Sequence, residues 1–197
     1  VYSKDLETMS LFGSDKLKGK KIAIVATDGF EQSELEEPKK YLENEGAETH
    51  VISLKSGSIK GWDKDDWGDK VSVDKLIGEA RVEDYDALVL PGGQINPDKL
   101  RVEQKVVDFV TEFMHSGKVV AAICHGPWTL IETGLVRGKK MTSYPSIKTD
   151  LKNAGALWED SEVVVDKGLI TSRNPSDIPA FNKKIVEEIL EGVHATR

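Results

Sequence analysis

Short, wholly apolar runs alternate along the chain with longer stretches whose apolar residues recur at helical spacing. KIAIVA at 21–26 is rich in Ile and Val, the pattern of a strand buried on both faces of a parallel sheet. Thr27, Asp28 and Gly29 punctuate its end. Leu35, Lys39 and Leu42 share a face in SELEEPKKYLENEG, which predicts a helix; Ser33 and Glu36 have capping-box spacing and Gly46 reads as the stop. A second strand is expected at 48–54, a β-excursion with a loop at 56–73, and a third core strand at 85–90 that stops at Pro91, Gly92 and Gly93. Val102, Val106, Phe109, Val110 and Phe113 predict a helix over 101–116, ended by Gly117. VVAAIC at 119–124 is the next strand, followed by a helix from about 127 to 133 and Gly134. The last third predicts a strand at 141–143, a short helix near 147–153, a hairpin-like pair at 162–172 and a helix over about 177–191 with Phe181, Ile185 and Ile189 on one face.

This alternation implies a mainly parallel sheet with helices on both sides, joined by right-handed connections. Ligands of such sheets bind beyond the carboxyl ends of the strands. Three strand ends therefore matter most: Asp28-Gly29, Gly92-Gly93 and Cys124-His125. No internal repeat, low-complexity tract or linker interrupts the pattern. The expected division is an N-terminal extension at 1–20, one domain at 21–192 and a tail at 193–197.

The 197 residues suit one domain with a full core. At 39% hydrophobic and 31% charged, the chain reads as soluble and globular. No apolar run is long enough to span a bilayer, and the first 20 residues lack the apolar segment of a secretory signal, although the chain begins at Val1 rather than Met. The net charge of −7, from 27 basic and 34 acidic residues, disfavours a nucleic-acid partner. A single cysteine excludes an intrachain disulfide and cysteine-rich zinc sites, and suits a reducing cytoplasm. Asp63 to Gly68 resemble the start of a calcium loop, but Trp67 stands at a ligand position and the closing glutamate is missing. Neither a phosphate-binding loop nor a dinucleotide fingerprint is present. No metal or cofactor is expected.

The chemistry concentrates on Cys124. In AAICHGPW it ends an apolar strand just before a helix opened by Pro127, the placement of a nucleophile elbow. A helix N-terminus would lower the thiol's pKa and stabilise a thiolate. A buried structural cysteine is the other reading of the same position. Gly126, permitting close backbone approach, favours a functional one. His125 is a candidate acid or base, or a histidine satisfied within a turn. Glu31 and Glu34 follow the first strand from the same end of the sheet. A carboxyl group beside the thiol would hold a raised pKa and donate or shuttle a proton; partners of a helix dipole are the alternative. Gly92 and Gly93 have the placement of backbone oxyanion donors, or of a simple turn.

Together, DGFEQSEL (28–35), DALVLPGG (86–93), AAICHGPW (121–128), GKKMTSYPSIKTDLKNAGA (138–156) and VVVDKGLITSRNPSDIPAF (163–181) resemble the ThiJ/PfpI superfamily, in particular its PfpI-type intracellular cysteine peptidase and general stress protein branch. The resemblance covers roughly 20–192. It implies a flavodoxin-like three-layer sandwich, related to class I glutamine amidotransferases, with Cys124 as nucleophile, His125 beside it, Glu34 as the acid bonded to the cysteine, Glu31 as a second acidic position, and Gly92 and Gly93 lining the pocket. The histidine-x-glutamate pair of the amidotransferases is missing downstream. Relatives of the human parkinsonism-linked protein carry histidine where this chain has Tyr144, a departure that agrees with the PfpI branch. PfpI-like members form dimers and hexamers and take a carboxylate from a neighbouring subunit; Asp98 is the nearest match, in a loop one residue longer and with Asp for Glu. Trp62 and Trp67 would be interface anchors. The implied function is stress protection by a cysteine-dependent hydrolase, acting as a peptidase or as a deglycase or glyoxalase on small aldehyde adducts. The alternative is a redox sensor or stress chaperone with an oxidisable cysteine.

Overall fold

The computed structural model describes residues 13–194; the start of the expected extension and the end of the tail lie outside them. Five parallel connections and one antiparallel edge build a seven-stranded sheet. In chain order its strands are β1 (Lys21–Val25), β3 (Glu48–Ser53), β6 (Lys75–Leu76), β7 (Ala87–Leu90), β8 (Val119–Ile123), β11 (Val164–Asp166) and β12 (Leu169–Ser172). Their spatial order is β11-β12-β8-β7-β1-β3-β6. The chain builds outward from β1 through β3 to β6, then crosses back so that β7 pairs with the other side of β1. That reversal opens a crevice at the carboxyl ends of β1 and β7, where such sheets bind ligands.

Successive strand residues point to opposite faces, and the core divides accordingly. Ala23, Val25, Leu88, Leu90, Val120 and Ala122 pack with Val106, Phe109, Val110 and Phe113 of α3 (Gln104–Ser116). Ile22, Ile24, Ala87, Val89, Ala121 and Ile123 pack on the other face with Leu35 and Leu42 of α1 (Gln32–Asn44) and Phe181, Ile185 and Ile189 of α6 (Ile178–Glu191). The result is the expected three-layer α/β sandwich. The described part of the extension joins this second face, through buried Leu17 and the bond from its N–H to the Glu45 carbonyl.

Two sequence expectations are corrected. The helix expected over 101–116 starts at Gln104, Val102 is 78% exposed, and a separate α2 covers Ile95–Leu100. Apolar spacing alone could not register that break, because Val102 happens to fall in phase. The Ser33–Glu36 capping box does not form: α1 starts two residues earlier than a Ser33 cap would place it, behind Glu31, with no side-chain cap. Phe30 and Glu31 instead pair as β2 (Phe30–Glu31) with Gly61 and Trp62 of β4 (Ser58–Asp63), which dictates how the chain enters the helix.

β2, β4 and β5 (Asp66–Ser72) form a small second sheet, the excursion expected at 56–73. A short parallel pair, β9 (Lys140–Met141) with β10 (Leu157–Trp158), and the helices α4 (Pro127–Ile131) and α5 (Lys148–Asn153) complete the chain. Among the described residues no helix is long and apolar enough to cross a membrane.

Candidate active site

Cys124 has φ of 63°, in the left-handed region that a residue with a side chain rarely adopts. Neighbouring segments hold it there. Its N–H donates to the Ser172 carbonyl at 3.0 Å, at the end of β12, and its own carbonyl accepts from Tyr144 N–H at 2.9 Å. Such strain costs about 1–3 kcal/mol and persists where its surroundings over-determine it. The turn leaves no room below: a Cβ on Gly126 would meet the Leu90 carbonyl oxygen at 2.6 Å. This is the sharp elbow expected from AAICHGPW, and it aims Sγ out of the carboxyl end of the sheet.

Sγ sits in a cavity of about 500 Å³ lined by residues that include Glu31, Glu34, Gly93, His125 and Tyr144, with the cysteine itself 7% exposed. Glu34 comes from the first turn of α1 and is fully buried. Its Oε1 accepts from Gly92 N–H at 3.0 Å. Oε2 is buried and takes no hydrogen bond from a nitrogen or hydroxyl; the carboxyl group's side-chain partner is the Cys124 thiol. Burial, followed by the charge of Glu31, pushes Glu34 up to about 8. It is therefore neutral at pH 7 and carries a proton to donate. Pro38 lies inside α1, where it leaves the Glu34 carbonyl without its helical donor, yet the helix runs through unbroken.

The expectation of a thiol pKa lowered by a helix dipole is corrected. α4 is only one and a half turns long, and burial, followed by the negative charge of Glu34, pushes the Cys124 thiol up. Neutral Glu34 removes the second of these effects. The backbone N–H groups of Gly93 and His125 oppose the first, since both favour the sulfur anion. Sulfur and carboxyl thus share an enclosure that accommodates one negative charge far better than two.

His125 does face its neighbour. Nδ1 lies 3.2 Å from Sγ and Nε2 lies 3.1 Å from Ser146 Oγ. The ring stacks on Tyr144, 4.8 Å between centroids, and meets Trp128 edge-on at 5.1 Å. Burial pushes its pKa down, so the imidazole is a neutral base beside the thiol. With the proton on Nε2 and donated to Ser146, Nδ1 is the acceptor for the thiol proton.

Glu31 lines the mouth rather than touching sulfur. Its Oε1 accepts from Lys64 N–H at 3.3 Å, and burial raises its pKa. Gly93, with φ of 80°, and Gly92 bring the loop after β7 against the elbow; a Cβ on Gly92 would stand 2.6 Å from Glu34 Oε1 and 2.7 Å from the Cys124 Cβ. Asp98 lies on the exposed side of α2 and outside the cavity lining.

Three contributors escaped the sequence reading. Trp62 and Lys64, from the tip of the β4–β5 hairpin, form the rim. Trp62 was expected to be an interface anchor; here it lines the pocket, with its Nε1 donating to the Lys64 carbonyl at 3.0 Å. Asn96 is fully buried and ties two strand ends together, accepting from Thr27 N–H at 2.8 Å and donating to the Pro91 and Gly92 carbonyls. A polar residue in QINPDKL, just past a glycine pair, was the one signal for it. Beyond Asp28, the side chains of Lys55, Lys60, Lys70 and Lys99 gather with Trp67 around a second depression, so the net charge of −7 does not describe this face.

A doubly covered, mainly parallel sheet with a buried cysteine at a sharp strand-to-helix turn by its switch point, and a buried acid against the sulfur, defines an α/β protein with a candidate cysteine site. Residues 20–188 match the DJ-1/PfpI family, and the chain belongs to it. Protein/nucleic acid deglycase 2 of Escherichia coli is 46% identical over 167 residues, covering 84% of this chain and 95% of that protein. General stress protein 18 of Bacillus subtilis is 46% identical over 168 residues, with the same shares. Among solved structures, a two-domain protein of Anabaena variabilis with DJ-1/ThiJ/PfpI-like and ferritin-like domains is 40% identical with a TM-score of 0.81. It aligns with 85% of this chain, which spans 47% of that longer one.

Proposed function

We propose that this chain is a cysteine-dependent hydrolase of the PfpI branch that acts in stress protection on small reactive aldehydes and their adducts. The observation that carries the proposal is a buried cysteine, 7% exposed, at the floor of the cavity, with a neutral carboxyl group and a neutral imidazole beside it. A small carbonyl compound reaches such a floor more readily than a folded polypeptide does. The names of the Escherichia coli and Bacillus subtilis relatives, a deglycase and a general stress protein, support the same direction.

The thiol proton passes to His125 Nδ1, Sγ bonds to the carbonyl carbon, and the carbonyl electron pair moves to oxygen. That oxygen takes the proton back, giving a neutral hemithioacetal with no co-reactant. Neutral Glu34 and the Gly93 N–H stabilise the charge as it moves from sulfur to oxygen. For a 2-oxoaldehyde, moving the C–H proton of the hemithioacetal to the adjacent carbon, and its hydroxyl proton to the adjacent oxygen, gives a thioester, an internal redox change that needs no outside oxidant. Water then cleaves the thioester to a 2-hydroxy acid and free thiol. Glu31, at the mouth, is placed to meet incoming substrate. In an oligomer, a dimer or hexamer, Asp98 of a neighbouring copy would be a further carboxylate at that mouth; a monomer at micromolar concentration in equilibrium sedimentation removes this part.

The test is a matched assay of wild type and Cys124→Ser on methylglyoxal, a methylglyoxal-treated peptide and an untreated peptide. Wild type is expected to turn over the first two, and the variant to lose on the order of a thousandfold or more. Equal turnover by both proteins sinks the proposal. Cleavage of the untreated peptide alone moves the assignment to a peptidase. Stoichiometric oxidation of Cys124 by peroxide without turnover moves it to a redox sensor.

A further inference from the structure

At the opposite end of the sheet from the cysteine, the last helix ends beside three groups of metal-ligating type. Glu188 and Glu191 are one helical turn apart on α6, and His194 follows after Gly192 has broken the helix. One ligand atom from each lies within 4.8 Å of the others. Glu188 is 7% exposed. Its Oε2 and the Nε2 of His194 are both buried, and neither has a hydrogen-bond partner. The two atoms face each other at 3.8 Å, too far for a hydrogen bond and close to the separation of two ligands that share one ion with bonds of about 2.0–2.2 Å.

The backbone at His194 is tied to the end of α3. His194 N–H donates to the Gly117 carbonyl at 2.8 Å. Gly117, with φ of 74°, ends α3 where any Cβ would strike the His194 backbone. The nearby cation Lys184 bonds Glu187 at 2.7 Å rather than Glu188 or Glu191. Beyond the long ion pair that a protonated His194 makes with Glu188, a buried carboxylate oxygen and a buried imidazole nitrogen left without a hydrogen bond each cost about 1–3 kcal/mol, and a divalent ion between them satisfies both.

We infer that Glu188, Glu191 and His194 form a binding site for a divalent transition-metal ion of the zinc type, which clasps the C-terminal tail to the last helix. The imidazole selects this class over magnesium and calcium, which take oxygen ligands. Three protein ligands leave a fourth tetrahedral position for water. The site is independent of the cysteine chemistry.

The full-length, chelator-treated protein is titrated with Co²⁺ and followed by its visible absorption, then with Zn²⁺ by calorimetry. One ion per chain is expected, unaffected by millimolar Mg²⁺ and retained in Cys124→Ser. His194→Ala and Glu188→Gln should each weaken binding at least tenfold and abolish the rise in melting temperature that Zn²⁺ gives wild type. The metal-free melting curve of His194→Ala should overlay metal-free wild type, so lost binding is not lost folding. Binding that disappears in Cys124→Ser, or that survives both tail substitutions, overturns the inference. So does the absence of both absorption change and heat at millimolar metal.

Discussion

Cys124 and Lys64 have nearly the same unusual backbone, with φ of 63° and 62°, and both border the same cavity. Their surroundings differ in kind. Cys124 is buried at the floor and pinned from two sides, by Ser172 and Tyr144. Lys64 is exposed at the tip of a hairpin, where a left-handed residue is ordinary turn geometry, with its N–H on Glu31 and its carbonyl on Trp62. The same strain is over-determined in one place and merely accommodated in the other. On the proposed function, the floor holds the groups whose positions must not relax during chemistry. On the same reading the exposed rim meets incoming substrate.

Substitutions sharpen this contrast. The largest effect is expected at the floor, from Glu34→Gln. The amide keeps the acceptor for Gly92 N–H but cannot shuttle a proton, so kcat should fall by roughly 10²–10⁴-fold, measured on the aldehyde substrate. The same variant has a pH signature. Because folding raises the Glu34 pKa, to about 8, the native state binds the proton more tightly than the unfolded chain does. The stability this gives is fully present below the unfolded carboxyl range and declines as pH rises through that range toward about 8. Glu34→Gln should therefore flatten wild-type urea stability between pH 5 and 8, becoming the relatively more stable protein at the alkaline end. An unchanged slope would mean that Glu34 is ionised in the folded protein.

Gly92→Ala should come next, since its Cβ has nowhere to go between Glu34 and Cys124. A loss of about 1–3 kcal/mol is expected, the usual cost of overpacking, seen in denaturant melts together with reduced activity. The smallest effect is expected at the rim. Lys64→Gly removes the steric cost of the left-handed turn and should leave stability within about 1 kcal/mol of wild type or raise it, changing KM more than kcat. If Lys64→Gly instead lowers kcat as strongly as Glu34→Gln, the division into floor and rim is wrong.

Much of the floor was legible in the chain because each part sits at the end of an apolar strand. KIAIVA, DALVLPGG and AAICHGPW run to the same edge of one sheet, so Glu34, Gly92 and Cys124 had to converge there. The rim was not legible. Trp62 and Lys64 reach the cavity only because β4 pairs with β2, a two-residue contact between distant segments that no local pattern announces. Asn96 was hidden for a similar reason: its partners, Thr27, Pro91 and Gly92, come from two different strand ends.

Local periodicity and punctuation were enough to determine the alternating elements, the parallel sheet and the cysteine at a strand-to-helix turn, because helix and strand periods are properties of neighbouring residues. Resemblance across several ordered motifs added the family. The raised pKa of the carboxyl group was anticipated from its place beside the thiol, whereas the thiol's own protonation was decided by tertiary structure. A helix start after Cys124 suggested a thiol with lowered pKa, but burial beside Glu34 pushes the thiol up and keeps the carboxyl neutral. Desolvation depends on what surrounds a group in three dimensions, and the order of residues along the chain does not contain it.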